Sequence, residues 1–362
     1  MIYYLATAGF THTMETYLAH WCAGLSGNVR IVTYDEALRA SSLPLGTYVF
    51  SDLERLLPTE TEIAELVWDQ LNIAGARLLN HPTRTLKRYD LLTKMHALGR
   101  NEFRALRATE RHPDIRFPVF IRDESEHSGN ISRLLGSHRD LDEALAGAVV
   151  RGHRLKHLLV VEYCDTVGAD GLYRKYAAFC IDGQIVPGHM DCSRQWMVKD
   201  TDVVDPAVLA AERAFLESNP HRAWLKESFA LAGTDYGRMD YSLMGDTPQL
   251  WEINTNPVLI LNPANYAPEH MPTKHFLAGQ LAGALRAADS IPSDARVDLS
   301  IPDSLYRRLD AEKKQLQRAR NHRSTVRWIK RWPLFRAVRW VVHPLVRPMA
   351  PLLTRNNGKR SQ

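Results

Sequence analysis

The chain has 362 residues, of which 45% are hydrophobic and 24% are charged, so it can bury one large core or two to three lobes. No run of about 18 uncharged apolar residues indicates a membrane-spanning helix, and the N-terminus lacks the basic and apolar segments of a signal peptide. We therefore expect a folded protein that is neither secreted nor membrane-spanning. Its four cysteines have no CxxC or CxxxH spacing, which argues against a zinc ribbon or a disulfide framework and predicts reduced thiols in the cytoplasm.

The net charge of +5 conceals two regions of opposite sign. Residues 313–362 contain fourteen Lys or Arg and no Asp or Glu, whereas residues 1–312 contain 32 basic and 41 acidic residues. The body of the protein is therefore acidic and its tail is strongly basic, so the two parts require separate explanations.

Strand-like and helical segments alternate over the first 80 residues. Four short runs are rich in β-branched and aromatic residues, and two segments between them have helical spacing. The second helical segment begins with a Thr-x-x-Glu capping box at Thr59 and ends at Gly75. This alternation predicts a parallel α/β lobe over about residues 1–80. The predicted strands are residues 2–8, 29–34, 47–53 and 76–80, and the predicted helices are residues 11–25 and 59–75.

Beyond residue 80 the pattern predicts antiparallel strands, with Asp182-Gly183 as a hairpin turn between two of them. Four helices accompany these strands, and no internal repeat is present. The predicted strands are residues 116–122, 157–165, 173–183 and 184–190, and the predicted helices are residues 86–99, 205–218, 221–233 and 269–289.

A further hairpin is predicted in the stretch "GRMDYSLMGDTPQLWEINTNP", residues 237–257. Side chains in a strand repeat every two residues, so a turn near Asp246 places Asp240 opposite Glu252 and Arg238 opposite Asn254 on one face. The other face carries the core-type residues Met239, Tyr241, Trp251 and Ile253.

The polar face of this hairpin has the composition of a metal–phosphate site. Two carboxylates and a carboxamide oxygen are hard ligands of the kind that magnesium takes when it also holds phosphate oxygens. Arg238 adds a fixed cation that could neutralise charge on a transferred phosphoryl group. The alternative is a solvated surface hairpin. The joint pattern favours a site for a metal–nucleotide complex.

These residues resemble the ATP-grasp superfamily, which includes D-alanine–D-alanine ligase, glutathione synthetase and the RimK-type ligases. The likeness extends from about Asn80 to Pro257, and the hairpin is its most specific part. It implies an α/β fold in which an N-terminal parallel lobe, a central lobe and a C-terminal antiparallel-sheet lobe hold ATP between them. The domains would be residues 1–80, residues 81–290 with a hinge near 160–165, and a basic helical extension at 291–362.

The resemblance also implies roles for the hairpin residues. Asp240, Glu252 and Asn254 would hold one or two Mg²⁺ ions, and Arg238 would contact the γ-phosphate as a catalytic residue. Upstream, the family has a basic residue at the start of a helix, where this sequence offers Lys87 or Arg88.

The family's phosphate-binding strand and loop match residues 117–130. Arg122 stands where lysine is usual, so the charge is kept, but the forked guanidinium has a different reach. His127, Ser128 and Gly129 would form the loop over the phosphates. Taken alone, a basic residue on a strand is more often a surface residue, and only its order relative to the hairpin favours the phosphate role.

The strand at 157–165 resembles the family's hinge strand, which would place Glu162 and Tyr163 beside adenine and Asp165 near the ribose. Without the family, this segment is simply the end of a buried strand. Arg174 or Lys175 falls where the family often has another triphosphate cation.

The acceptor pocket is the least defined part of the predicted site. His189 and Arg194 are candidates to face it, although His189 could equally be a structural histidine. The loop at residues 8–16, which precedes a predicted helix, is a candidate for binding an anionic group.

The resemblance implies an ATP- and magnesium-dependent ligase that activates a carboxylate as an acylphosphate and couples it to an amine or another nucleophile. If the acceptor is a hydroxyl, the same apparatus is a small-molecule kinase, as in the family's inositol phosphate kinases. A third hypothesis, from another class, is a nucleotide-binding scaffold attached to an anionic surface by its tail.

Residues 323–355 of the tail interleave Arg and Lys with tryptophan and aliphatic residues. Such segments lie at anionic membrane surfaces, so the tail is a candidate peripheral contact with the inner face of the membrane. Prolines at 333, 344, 348 and 351 prevent one long helix. Nucleic acid is the rival partner, and packing of the tail against the acidic body is the structural alternative.

Overall fold

A computed structural model describes residues 1–110, 112–125, 129–199, 201–203, 205–289 and 294–330. The chain divides into two compact units, residues 1–301 and 302–362. The first unit contains the predicted α/β architecture with its parallel lobe, central lobe and antiparallel-sheet lobe, so the predicted fold class is confirmed. The predicted domain boundaries at residues 80 and 290 stay predictions.

The N-terminal lobe is built on a four-stranded parallel sheet of order β2-β1-β4-β5. Its central strand, β1, is buried along its whole length, as expected for a strand covered on both faces. The elements are β1 (Ile2–Ala6), α1 (His12–His20), β2 (Val29–Thr33), α2 (Tyr34–Ala37), β3 (Ser42–Pro44), β4 (Thr47–Phe50), α3 (Pro58–Ile73) and β5 (Arg77–Leu79).

The start of α3 corrects the predicted capping box. The helix begins at Pro58, and the carboxylate of Glu60 accepts a hydrogen bond from the Leu57 amide at 3.0 Å. Leucine has no side-chain acceptor, so this is half of a capping box, placed two residues before the predicted one. Proline fixes the backbone for the first helical turn, which explains the earlier start. The predicted end at Gly75, where φ is +83°, is confirmed.

The central lobe has a three-stranded antiparallel sheet of order β6-β8-β7. A buried apolar cluster joins β7 and β8 to α5 on one side of this sheet. The elements are α4 (Arg88–Ala97), β6 (Ala105–Arg107), β7 (Val119–Asp123), α5 (His138–Val150) and β8 (Leu158–Glu162).

The third lobe has a four-stranded antiparallel sheet of order β10-β9-β11-β12. The predicted turn between its first two strands is confirmed, with Asp182 and Gly183 both at positive φ as a tight hairpin requires. The elements are β9 (Tyr173–Ile181), β10 (Gln184–Ser193), α6 (Pro206–Ser218), α7 (Arg222–Ala232), β11 (Tyr236–Met244), β12 (Thr247–Asn254), α8 (Met271–Ala288) and β13 (Arg296–Asp298). Strand β13 pairs with β3 of the N-terminal lobe.

The hairpin of β11 and β12 has the predicted pairing, Asp240 opposite Glu252 and Arg238 opposite Asn254. The cause of this pairing, however, is not the turn near Asp246 alone. Only two residues separate the strands, and that turn alone would place Trp251 opposite Asp240. A β-bulge after Asp240 shifts the register by one residue, so Trp251 is the extra residue and Glu252 faces Asp240.

The second unit contains the helix α9 (Asp303–Lys330). Most of the tail segment at 323–355, to which a membrane contact was assigned, lies outside the described residues. Within the described part of the chain, no helix is long and apolar enough to cross a membrane.

Candidate functional site

A cavity of about 430 Å³, here called the first cavity, opens between the central lobe and the third lobe. One part of its wall is aromatic. Trp196 lies 5.2 Å from Phe120 and 5.7 Å from Tyr163, measured between ring centroids. The other part is charged and contains Arg122, Lys175, Lys199, Arg238, Asp240 and Glu252. An aromatic wall beside converging charges suits a flat base joined to an anion.

Glu252, on β12, lies between two arginines from other elements. Arg122 of β7 donates from Nη2 to its Oε2 at 2.7 Å, and Arg88 at the start of α4 is paired with the same oxygen. Arg88 also donates to the carbonyls of Asp123 and Glu124 at 2.8 and 2.9 Å, which fixes its guanidinium at the end of β7. Glu252 therefore pairs with two cations, and it lines the first cavity together with one of them, Arg122.

The environment of Arg122 indicates an anion site. Burial lowers its pKa to about 10, and the neighbouring positive charge of Arg88 acts in the same direction. Its Nε–H is buried and has no hydrogen-bond acceptor among the described residues. Two arginines that share one carboxylate carry an excess of positive charge, which a phosphate group would neutralise.

Arg238 and Asp240 lie two residues apart on β11 and form a bidentate ion pair. Nε donates to Oδ1 at 2.8 Å, and Nη2 donates to Oδ2 at 3.1 Å. Asp240 is buried, so both of its oxygens are engaged inside the cavity wall. Burial acts to lower the pKa of Arg238, but the adjacent Asp240 carboxylate outweighs it and raises the pKa, so the guanidinium stays charged.

The donor set for magnesium is present but already engaged by the protein. Asp240 and Glu252 are paired with arginines, and the Asn254 side-chain oxygen accepts a hydrogen bond from the backbone N–H of Asn256 at 2.8 Å. Within the described residues, no group of three or more His, Cys, Asp or Glu could hold a metal ion. The three oxygens suit Mg²⁺ chemically, and the residues that would hold it are Asp240, Glu252 and Asn254. If a metal ion took these carboxylates from Arg88, Arg122 and Arg238, the arginines would need another anion as a partner.

A second charged group lies on the paired strands β9 and β10. Lys175 Nζ lies 3.1 Å and His189 Nε2 lies 3.4 Å from Oδ2 of Asp191. Burial acts to raise the pKa of Asp191, but His189 and Lys175 together lower it far below its usual range. Asp191 is therefore an anion that orients both neighbours.

A second cavity of about 400 Å³ adjoins the first, and the two share Lys175, Lys199 and Arg238 as lining residues. His189 and Asp191 line only the second cavity. The three shared cations therefore line the junction of the two cavities.

The described end of the predicted phosphate loop lies at this junction. Gly129 has a φ of +96°, which favours glycine, and a Cβ atom there would lie 2.7 Å from Cε of Lys199, so a larger residue would require the Lys199 side chain to move. Ser128 and His127 lie outside the described residues.

Several predicted residues lie away from the cavities. Lys87 is an exposed residue before α4, and Arg88 is the basic residue that reaches the site. Glu162 is buried against Arg104, which donates to its Oε1 at 2.9 and 2.6 Å, so its side chain points away from the first cavity.

Asp165 accepts from the Tyr163 hydroxyl at 3.0 Å without lining the cavity. Arg194 is exposed and lines neither cavity.

Sequence reasoning did not identify Asp191, Trp196 or Lys199. Asp191 could not be found because a register shift between Pro187 and Met190 brings it opposite Lys175, whereas an unbroken hairpin would pair Lys175 with Met190. The signal for Trp196 was an aromatic residue in a loop directly after a strand, beside the candidate residues His189 and Arg194.

No family model matches the chain, and no curated protein matches its sequence. Solved structures similar to it include a D-alanine–D-alanine ligase from Bacillus anthracis (TM-score 0.45, 13% identity) and the same enzyme complexed with ATP (TM-score 0.45, 12% identity). Both cover 79% of this chain and 98% of their own. The D-alanine–D-alanine ligase from Helicobacter pylori has a TM-score of 0.41 and 14% identity, and covers 77% of this chain and 97% of its own. Because these scores and identities are low, the assignment of function rests on the side chains of the site.

Proposed function

We propose that this chain is an ATP-grasp enzyme, specifically an ATP- and magnesium-dependent ligase that activates a carboxylate as an acylphosphate and couples it to an amine. One observation carries the proposal: Arg122, Arg238, Asp240 and Glu252 line the first cavity, Arg88 pairs with Glu252, and Lys175 and Arg238 also line the second cavity. The aromatic wall of Phe120, Tyr163 and Trp196 supports a site for the adenine base.

The side chains would have different roles according to their positions in the two cavities. Arg88 and Arg122 would bind the polyphosphate, and bound magnesium would neutralise charge on the phosphates. Arg238, shared by both cavities, would stabilise charge on the transferred group. A carboxylate oxygen from the second cavity attacks the γ-phosphorus while the bond to ADP breaks. The amine nitrogen then attacks the acyl carbon and gives up a proton to solvent, and phosphate leaves with the electron pair of the broken carbon–oxygen bond.

Hydroxylamine trapping tests this reaction. The full chain is incubated with ATP, magnesium, hydroxylamine and a panel of small carboxylates, and hydroxamate is measured. We expect hydroxamate with at least one carboxylate, in proportion to the ADP formed. A phosphorylated acceptor that is stable to hydroxylamine would instead make the protein a kinase, and nucleotide binding without any ADP would favour the scaffold.

A matched pair of variants links the result to the site. Arg238→Met should lower hydroxamate formation by about 10²–10³-fold, the range seen when a transition-state donor is removed. Arg213→Met removes an exposed arginine of α6 that pairs with Glu217, and should leave the rate unchanged. Equal rates in the two variants would remove Arg238 from the mechanism.

A further inference from the structure

The wall of the second cavity contains a buried ion pair that the proposed reaction does not use. Lys274 of α8 donates to Oε1 of Glu212 of α6 at 2.8 Å. Both residues are more than nine-tenths buried, with exposed fractions of 7% and 4%. His270 Nδ1 lies 3.9 Å from the other oxygen of Glu212, and Lys274 Nζ lies 5.4 Å from the centre of the Tyr266 ring.

Stability alone does not explain this pair. Removing two charges from water costs about as much as their attraction returns, and well-packed apolar residues often replace such a pair without loss. The pair also lines a cavity and is not sealed inside the core. The other walls include the buried apolar residues Val208, Leu259, Ile260 and Leu277. Apolar walls with a few converging polar groups are typical of small-molecule sites.

We propose that the second cavity binds a small organic anion with an apolar body and that Lys274 holds its anionic group. The ammonium group of Lys274 has three N–H donors, and among the described residues its hydrogen-bond partner is Glu212. Glu212 fixes the position of Lys274 and would leave donors for a ligand oxygen. The apolar walls would take the rest of the ligand.

The position of this site suggests its part in the reaction. The second cavity meets the first at Lys175, Lys199 and Arg238, so an anion held at Lys274 would have its other end in the cavity that leads to this junction. This last step rests on the proposed function, whereas the binding of the anion does not.

A binding experiment without nucleotide or metal tests the site. The probes are hexanoate and its uncharged isostere hexanamide, titrated into the full chain by ligand-observed NMR. We expect the carboxylate to bind about tenfold or more tightly than the amide, because only the carboxylate forms an ion pair with the Lys274 ammonium. Lys274→Met should lose this preference, whereas Lys226→Met, at an exposed lysine of α7, should keep it.

Loss of a single partner could unfold the chain, so a second variant keeps the test decisive. Glu212→Gln/Lys274→Met removes both charges, and it should fold and bind the two probes equally. Wild-type protein that binds the probes equally, or binds neither, would overturn the proposal. ATP binding measured in the same samples separates this outcome from failure of the proposed function, because the first cavity does not include Lys274 or Glu212.

Discussion

Arg122 occupies the strand position where lysine is usual in the ATP-grasp enzymes that the sequence resembles, and it changes what that position can do. Its fork reaches Glu252 at 2.7 Å while its Nε remains buried without an acceptor among the described residues. A lysine there would keep the charge but lose the planar donor set. The position therefore combines a buried donor that has no acceptor among the described residues with the orientation of Glu252.

Substitution of Arg122 should weaken nucleotide binding in graded steps. Hydrogen bonds to charged groups contribute about 1.5–3 kcal/mol, so we expect Arg122→Met to raise the dissociation constant for ATP by about 10- to 150-fold. Arg122→Lys should have a smaller effect, because it keeps the charge. Isothermal titration calorimetry measures both, and Arg139→Lys, at an exposed arginine of α5, is the control. Unchanged affinity in Arg122→Met would exclude this residue from the phosphate site.

Glu162 stabilises the fold and does not line the first cavity. It accepts hydrogen bonds from the Arg104 side chain and from the backbone amides of Arg104 and Arg116 at 3.1 and 2.9 Å. We expect Glu162→Gln to destabilise the protein by about 2–3 kcal/mol at neutral pH, because an amide group would face these donors. Glu143→Gln, at an exposed pair on α5, should cost under about 0.5 kcal/mol.

The contribution of Glu162 to the free energy of unfolding should depend on pH. Burial acts to raise its pKa, but hydrogen bonds from Arg104 and Arg116 outweigh it and lower the pKa. A carboxylate with a lowered folded-state pKa stabilises the protein above its unfolded pKa of about 4.3, and this contribution is lost as the pH falls through the folded value. Urea unfolding at neutral pH and at about pH 3.5 should therefore show a smaller difference between wild type and Glu162→Gln in acid. A difference independent of pH would contradict the assignment.

The loop after β12 connects the candidate site to the N-terminal lobe. Asn256 is buried, and its side-chain oxygen accepts from the hydroxyls of Tyr4 at 2.7 Å and Thr13 at 2.6 Å. Its amide group donates to the Phe10 carbonyl at 3.1 Å. Of the predicted anion loop at residues 8–16, Phe10 and Thr13 therefore contact Asn256, two residues beyond Asn254.

Asn256→Ala should destabilise the first unit by about 2–4 kcal/mol, because the buried Tyr4 hydroxyl would lose its acceptor. Chemical denaturation followed by tryptophan fluorescence measures this change. Asn72→Ala, at an exposed asparagine near the end of α3, should change stability by less than about 0.5 kcal/mol. Equal effects of the two substitutions would show that this connection contributes little.

Sequence patterns predicted the elements better than their exact registers. The period of two residues was enough to place Arg238, Asp240, Glu252 and Asn254 on one face. The bulge at Trp251 could not be predicted, because it depends on how this tryptophan packs, and its ring stacks on Phe103 at 4.7 Å. The choice between Lys87 and Arg88 likewise depended on the first residue of α4, and helix starts are poorly fixed by sequence.

Residues 323–355 of the basic tail are the candidate contact with an anionic membrane surface. Removal of residues 323–362 should release the protein from vesicles of anionic lipid and leave ATP binding intact, because the tail supplies the basic and tryptophan side chains. Vesicle co-sedimentation measures this, with vesicles of zwitterionic lipid as the control. If the truncated chain aggregates or unfolds, the tail is part of the fold and the membrane proposal is wrong.

We propose that the first cavity binds a metal–nucleotide complex in which phosphates and magnesium replace the present arginine–carboxylate pairs. Calorimetric titration with a non-hydrolysable ATP analogue, with and without Mg²⁺, tests this claim in wild type, Glu252→Gln and the control Glu143→Gln. In wild type and the control, magnesium should strengthen binding. In Glu252→Gln that gain should shrink, whereas metal-free analogue should bind at least as tightly as to wild type, because Arg88 and Arg122 no longer have a competing carboxylate. Binding that is strong but independent of both magnesium and Glu252 would contradict the account.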